Sequence, residues 1–138
     1  MKKFILYALA LILIAGGGIY YYVFVFSKNR TFDMAGAEAI SVDAAVLVKA
    51  FQENEAQANK TYLDKVLLIK GIVSNAAANQ TGEHTVTLSS EDPFAGVMAT
   101  LDSTETKQVK VGDNIQVKGF CKGFLSDVVI NNAIISDK

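Results

Sequence analysis

Val111-Gly112-Asp113-Asn114-Ile115-Gln116-Val117-Lys118-Gly119-Phe120-Cys121 opens on a Gly-Asp turn and then alternates, with Ile115 and Val117 apolar between polar neighbours. A period of two with β-branched residues predicts a strand over 114–121 with one buried face. Gly119 interrupts it, and a residue without a Cβ inside a strand suits a sharp bend. The chain then turns through Lys122-Gly123-Phe124-Leu125-Ser126-Asp127 into Val128-Val129-Ile130 and a further strand over 128–135. Working upstream, 96–101 and 85–89 read as two more strands, the latter apolar on one face and hydroxylated on the other. Residues 66–73, aliphatic and β-branched, make the first of five, again with an interior glycine, Gly71, at a bulge or bend. Five strands this short leave long unpaired edges unless the sheet curls on itself, so the pattern predicts a small closed β structure.

Ahead of the strands, Ser41 is placed as an N-cap and Asp43 in a first helical turn, where the helix dipole favours negative charge. Ala44, Leu47, Val48 and Phe51 then follow the i, i+3, i+4, i+7 stripe, which predicts an amphipathic helix over 42–58 docked on the domain's core. Residues 27–40 show no sustained period and read as a stalk. Before them, Phe4 to Phe26 runs 23 residues without a charge. As a helix that length spans about 35 Å, against a hydrocarbon core of about 30 Å. A signal peptide would give way to polar sequence after Gly16-Gly17-Gly18, yet Ile19-Tyr20-Tyr21-Tyr22-Val23-Phe24-Val25-Phe26 stays apolar, which favours an uncleaved anchor. The organisation is therefore an anchor over 1–26, a stalk over 27–40 and a helix-plus-barrel domain over 41–138. Lys2 and Lys3 on one side and Lys28 and Arg30 on the other nearly balance the positive-inside count. The Met-Lys-Lys start looks like a bacterial signal anchor, which sets the expected location: a single pass through the inner membrane with the C-terminal domain in the periplasm or outside the cell.

Three passages carry a family resemblance: the leader with its glycine run, Asn54-Glu55-Ala56-Gln57-Ala58-Asn59-Lys60-Thr61-Tyr62, and Cys121-Lys122-Gly123-Phe124-Leu125-Ser126-Asp127-Val128-Val129-Ile130. Together with the strand order, three strands, a connection and two strands, they resemble the membrane-anchored bacterial proteins of the tRNA_anti-like family. The resemblance covers nearly the whole chain. It implies a mainly β domain, a five-stranded OB-fold Greek-key barrel, preceded here by the amphipathic helix and the N-terminal transmembrane helix. It also directs attention to the loops at the barrel rim, where OB-folds recognise ligands.

Charge and composition narrow the function. All 14 acidic residues lie after position 30, against nine lysines there, so residues 31–138 carry a net −5. An acidic domain repels a polyanion rather than releasing its counterions, and the second and third strands hold no aromatic platform for bases. Single-stranded nucleic-acid binding is thus the alternative, resting on a local patch of Lys107, Lys110, Lys118 and Lys122. His84 is the one histidine and Cys121 the one cysteine, with nothing in their spacing to join them, so no catalytic constellation, metal or cofactor is expected. Cys121 reads as a small buried hydrophobe. The best binding candidate is the last hairpin, which places Phe124 and Leu125 where polar turn residues are the rule, flanked by Lys122 and Asp127. Phe124 and Leu125 either stand exposed for recognition or fold back to plug the barrel end or meet the helix that starts at Ser41. The expectation is a non-enzymatic, membrane-anchored OB-fold module that binds an envelope protein or a small envelope ligand.

Overall fold

The computed structural model describes residues 14–21, 33–78, 82–105 and 107–136. Residues 14–21 (α1) are helical and exposed. Among the described residues no helix is long and apolar enough to cross a membrane; the span expected over Phe4 to Phe26 lies, apart from α1, outside them. A separate compact unit runs from Met34 to Lys138. It comprises β1 (Ile40–Asp43), α2 (Ala44–Glu53), α3 (Glu55–Tyr62), β2 (Val66–Ala78), β3 (His84–Ser89), β4 (Gly96–Leu101), β5 (Asn114–Phe124) and β6 (Val128–Ser136).

The strands form one sheet in the order β1-β2-β3-β4-β6-β5, and β2 also pairs with β5. That last pairing closes a barrel of five strands, β2 to β6, in the OB-fold order. Closure is possible because β2 is long enough to serve two neighbours. Its first half lies antiparallel to β5, from Val66 opposite Phe120 to Ile72 opposite Asn114. Its second half lies antiparallel to β3, from Val73 opposite Leu88 to Ala78 opposite His84, with a bulge between Val73 and Asn75. Ala76, Ala77 and Ala78 extend β2 beyond the end expected at 73, the ladder to Val86, Thr85 and His84 overriding the helical preference of alanine.

The N-terminal part of the unit departs from the single helix expected over 42–58. Ile40 to Asp43 form a short strand parallel to Leu67 to Lys70 of β2. β-branched Ile40 and Val42 suit that ladder, and Ser41 therefore sits in a strand rather than at an N-cap. Asp43 takes the cap position without a side-chain hydrogen bond. The helix then stops at Asn54, whose side-chain oxygen accepts from Gln57 N to start α3, so the local side-chain bond wins over continuation. The predicted stripe is intact: Ala44, Leu47, Val48 and Phe51 are all buried. Upstream, in the stretch read as stalk, Met34 is buried and Ala35 O accepts from Lys118 Nζ at 2.9 Å.

Inside the barrel, alternate residues of each strand pack together. Leu67, Ile69, Leu88, Val97, Val117 and Ile130 are fully buried, with α2 covering one end through Leu47, Val48 and Phe51. Cys121 is also buried and unpaired, and burial pushes its thiol above its ordinary value. The two glycines singled out in the sequence both sit at close approaches. A Cβ on Gly71 would meet Ala44 Cβ and Leu88 Cβ, each at 3.1 Å. One on Gly119 would meet Ile130 Cγ2 at 2.6 Å, Asn131 O at 3.0 Å and the Ala133 Cα at 3.1 Å. Gly119 lies where the β5–β6 register shifts between Lys118 and Phe120. Backbone cannot yield as a side chain does, so Gly119→Ala should lower stability by about 1–3 kcal/mol and Gly71→Ala by less. Urea unfolding followed by circular dichroism checks the order; an equal or reversed ranking would contradict the packing described.

Candidate functional site

At one end of the barrel the β5–β6 hairpin is drawn tight. Gly123 has φ of +108°, Leu125 N donates to Asp127 O at 3.1 Å, and Asp127 Oδ1 accepts from Gly96 N at 2.7 Å. Phe124 turns inward and stacks on Phe51, with ring centroids 6.0 Å apart and planes 17° apart. Tyr62 meets the same Phe51 ring at 6.2 Å. Leu125 points the other way and is 83% exposed. The two apolar residues of the turn thus divide the alternatives between them: Phe124 plugs, Leu125 protrudes. Lys122 Nζ lies 2.8 Å from Asp64 Oδ1 in an exposed ion pair, which contributes little to stability. Lys122, Phe124 and Leu125 share a shallow groove of about 330 Å³ with Asn59, Leu63 and Val129. Asp127 does not line it and instead fastens the hairpin to β4. Asn59 Oδ1 is buried at this groove without a hydrogen-bond partner.

The neighbouring loop between β3 and β4 is held as firmly. Asp92 Oδ1 accepts from Phe94 N at 2.8 Å, and Asp92 Oδ2 accepts from Gln52 Nε2 of α2 at 2.7 Å. Ser90 Oγ donates to Ala95 O. The backbone bond from Phe94, and then that from Gln52, lower the Asp92 carboxyl from its ordinary value of 3.8. The ring of Phe94 is left 90% exposed. Asp92-Pro93 is a common turn opening, and the sequence gives no sign that the aromatic next to it stands in solvent.

The opposite end of the barrel is open. Ala76 to Ala78 of β2, His84 to Val86 of β3, Leu101 of β4 and the connection through Asp102, Glu105 and Val109 line a cleft of about 730 Å³. Its rim is acidic but not idle. Asp102 Oδ1 accepts from Thr104 Oγ1 at 2.6 Å and from Thr104 N at 2.9 Å, bonds that lower its carboxyl from the ordinary 3.8. Glu105 Oε2 accepts from Ile135 N at 2.8 Å, and Lys107 Nζ donates to Ile135 O at 3.0 Å. The cleft escaped the sequence reading because its walls come from segments far apart in the chain, each unremarkable by itself. His84 sits here, while Cys121 lies at the far end of β2, its N donating to Lys65 O at 3.0 Å. The outer face of β3 and β4 pairs Thr85 with Thr100 and Thr87 with Met98, with no aromatic. Of the four lysines read as a patch, Lys118 and Lys122 share the outer face of β5 with Phe120 between them, whereas Lys107 belongs to the cleft rim.

Two outcomes follow from the hairpin and the Asp92 clip. Phe124→Ala should lower stability by about 2–4 kcal/mol, because it removes a ring stacked on Phe51, whereas Leu125→Ser should change it by no more than about 0.5 kcal/mol; thermal unfolding of both variants checks the contrast. The lowered Asp92 carboxyl stabilises the loop above its unfolded value near 3.8 and loses that contribution as pH falls through the folded value. An NMR titration should therefore show the Phe94 amide moving with a midpoint below 3.8, and Asp92→Asn should abolish the transition.

The sequence profile of the tRNA_anti-like family matches residues 1–135. No curated protein is similar enough to match. Among solved structures, a Klebsiella pneumoniae lipoprotein provisionally described as nucleic acid-binding is similar with a TM-score of 0.56 and 16% sequence identity, over 78% of this chain and 100% of that chain. At that identity the likeness is one of fold, and it agrees with the closed five-stranded barrel. The match over nearly the whole sequence makes this chain a member of the tRNA_anti-like family.

Proposed function

We propose that the chain is a membrane-tethered, extracytoplasmic binding module that works without catalysis and takes its ligand into the cleft at the β2–β3 end of the barrel. The cleft carries this reading: it is the larger of the two concavities described, with alanine, Val86 and Leu101 on its walls and carboxylates on its rim. Apolar walls under an acidic rim suit an uncharged or cationic ligand with an apolar part. Asp102 and Glu105 already accept hydrogen bonds from the protein, and His84 and Cys121 stand at opposite ends of the 13-residue β2. Neither arrangement suits proton transfer or nucleophilic attack. Tethering is supported by the uncharged run from Phe4 to Phe26 and by α1, in which Ile14 is 76% and Ile19 66% exposed, as a lipid-facing helix would be.

The second reading, single-stranded nucleic-acid binding, is favoured by the description of the Klebsiella pneumoniae neighbour and by the Lys118, Phe120, Lys122 stripe on β5. It ranks second because Lys118 is bonded to Ala35 O and Lys122 is paired with Asp64, in a domain of net −5.

Screening the full chain in detergent against cationic peptides and small amphiphiles by thermal shift tests the cleft. The expected result is a raised Tm that Ala76→Trp abolishes, because the indole fills the cleft. Tight, salt-dependent binding of a single-stranded oligonucleotide, lost in a Lys118→Glu/Lys122→Glu variant, would instead establish the second reading. The tether predicts a mature N-terminus at or near Met1 and retention in the membrane through a high-salt wash, since charge screening does not reverse burial of an apolar helix. An N-terminus between Gly16 and Phe26 on a soluble protein would overturn it.

A further inference from the structure

Phe94 is 90% exposed and Leu125 83% exposed, and both belong to the same end of the barrel. β4 and β6 run parallel with Val97 opposite Val128, so the loops that lead into them emerge side by side. Gly96 N and Asp127 Oδ1, 2.7 Å apart, tie those loops together. Neither tip is slack. Asp92 holds the Phe94 amide at 2.8 Å, and the Leu125 amide donates to Asp127 O at 3.1 Å. A rigid loop that shows a phenyl ring to water forgoes the burial available to a side chain of that size. The other described aromatics of the unit, Phe51, Tyr62, Phe120 and Phe124, are all at least partly buried.

The geometry points to a bilayer-docking surface at this end of the domain, with Phe94 and Leu125 inserted at the boundary between headgroups and acyl chains. This rests on the tethered reading above, since the leader has to be an uncleaved anchor. Seven residues, 27–33, separate Phe26 from Met34. Fully extended, such a segment reaches at most about 25 Å, so an anchored domain is held within contact range of the lipid surface. At that effective concentration two modest apolar contacts are enough to orient it. The shape of the surface selects lipid over protein. Two protruding tips cannot bury the roughly 800 Å² per partner that a specific protein interface needs, whereas a fluid surface accommodates convex tips. Of the carboxylates in the two loops, Asp92 and Asp127 already accept backbone hydrogen bonds, and Glu91 is exposed to solvent. No Lys or Arg lies between 90 and 96 or between 123 and 127, so insertion depends on apolar contact rather than on anionic lipid. The open cleft, at the other end of the barrel, would then face away from the membrane.

The test is made on the full chain reconstituted in phosphatidylcholine vesicles, with single Phe94→Cys, Leu125→Cys and, at the cleft end, Ser103→Cys variants carrying an environment-sensitive nitrobenzoxadiazole label. Cys121 is buried and escapes labelling. The expected result is a blue-shifted emission at 94 and 125 that brominated acyl chains quench, an unshifted and unquenched label at 103, and no dependence on added salt or phosphatidylglycerol. Water-like emission at 94 and 125 from protein that co-floats with the vesicles would overturn the docking surface and leave the anchor intact. Failure of the full chain to co-float would overturn the anchor and the docking surface with it. A blue shift that appears equally in detergent-free dimers without lipid, or that grows with protein concentration, would assign the tips to self-association and likewise overturn it.

Discussion

The architecture depends on a single strand being shared. β2 holds β5 along its first half and β3 along its second, and without that division of one 13-residue strand the sheet would stay open at two edges. The division needs a change of direction. It is supplied by the bulge after Val73, where Gly112 N donates to Val73 O and Val73 N donates to Asp113 O. The turn that opens β5 is thereby stitched to the corner of β2, and the Gly-Asp pair does structural service as a corner brace. On the inner side of the same corner, the missing Cβ of Gly71 lets α2 and β3 come close.

The second determinant is what closes the barrel's end. α2 could have been a free amphipathic helix, but its Phe51 becomes the centre of an aromatic group with Tyr62 from α3 and Phe124 from the hairpin. That group joins the N-terminal helices to the last two strands. It also explains why the hairpin exposes one apolar residue and not two, since Phe124 is held from behind and Leu125 is carried outward by the tight turn.

Much of the barrel was legible because alternation is a local property. The five strands, the buried stripe of α2 and the need for a small residue at Gly119 all follow from spacing along a few residues. The helix boundaries were not legible, because Ile40 to Asp43 become a strand only when Leu67 to Lys70 offer an edge some 27 residues away in register, and because Asn54 can cap as readily as it can continue a turn. The same holds for the site. Leu125 and Lys122 were visible as neighbours in sequence. The cleft was not, being assembled from the ends of β2, β3 and β4 and the connection after them. Phe94 left a trace, an aromatic beside the chain's one proline in a polar turn, but only its exposure distinguishes it from the packed rings.

β6 has a further consequence through its place in the barrel. It lies between β4 and β5, and its strand ends at Ser136. The wall therefore has a gap until β6 is in place, and the β2–β5 and β4–β6 contacts both join segments remote in sequence. A chain emerging from its N-terminus cannot complete this fold early. Until β6 has emerged the domain remains an open, unfinished sheet whose unpaired edges and apolar face chaperones must shield, and commitment to the native barrel waits on its last strand.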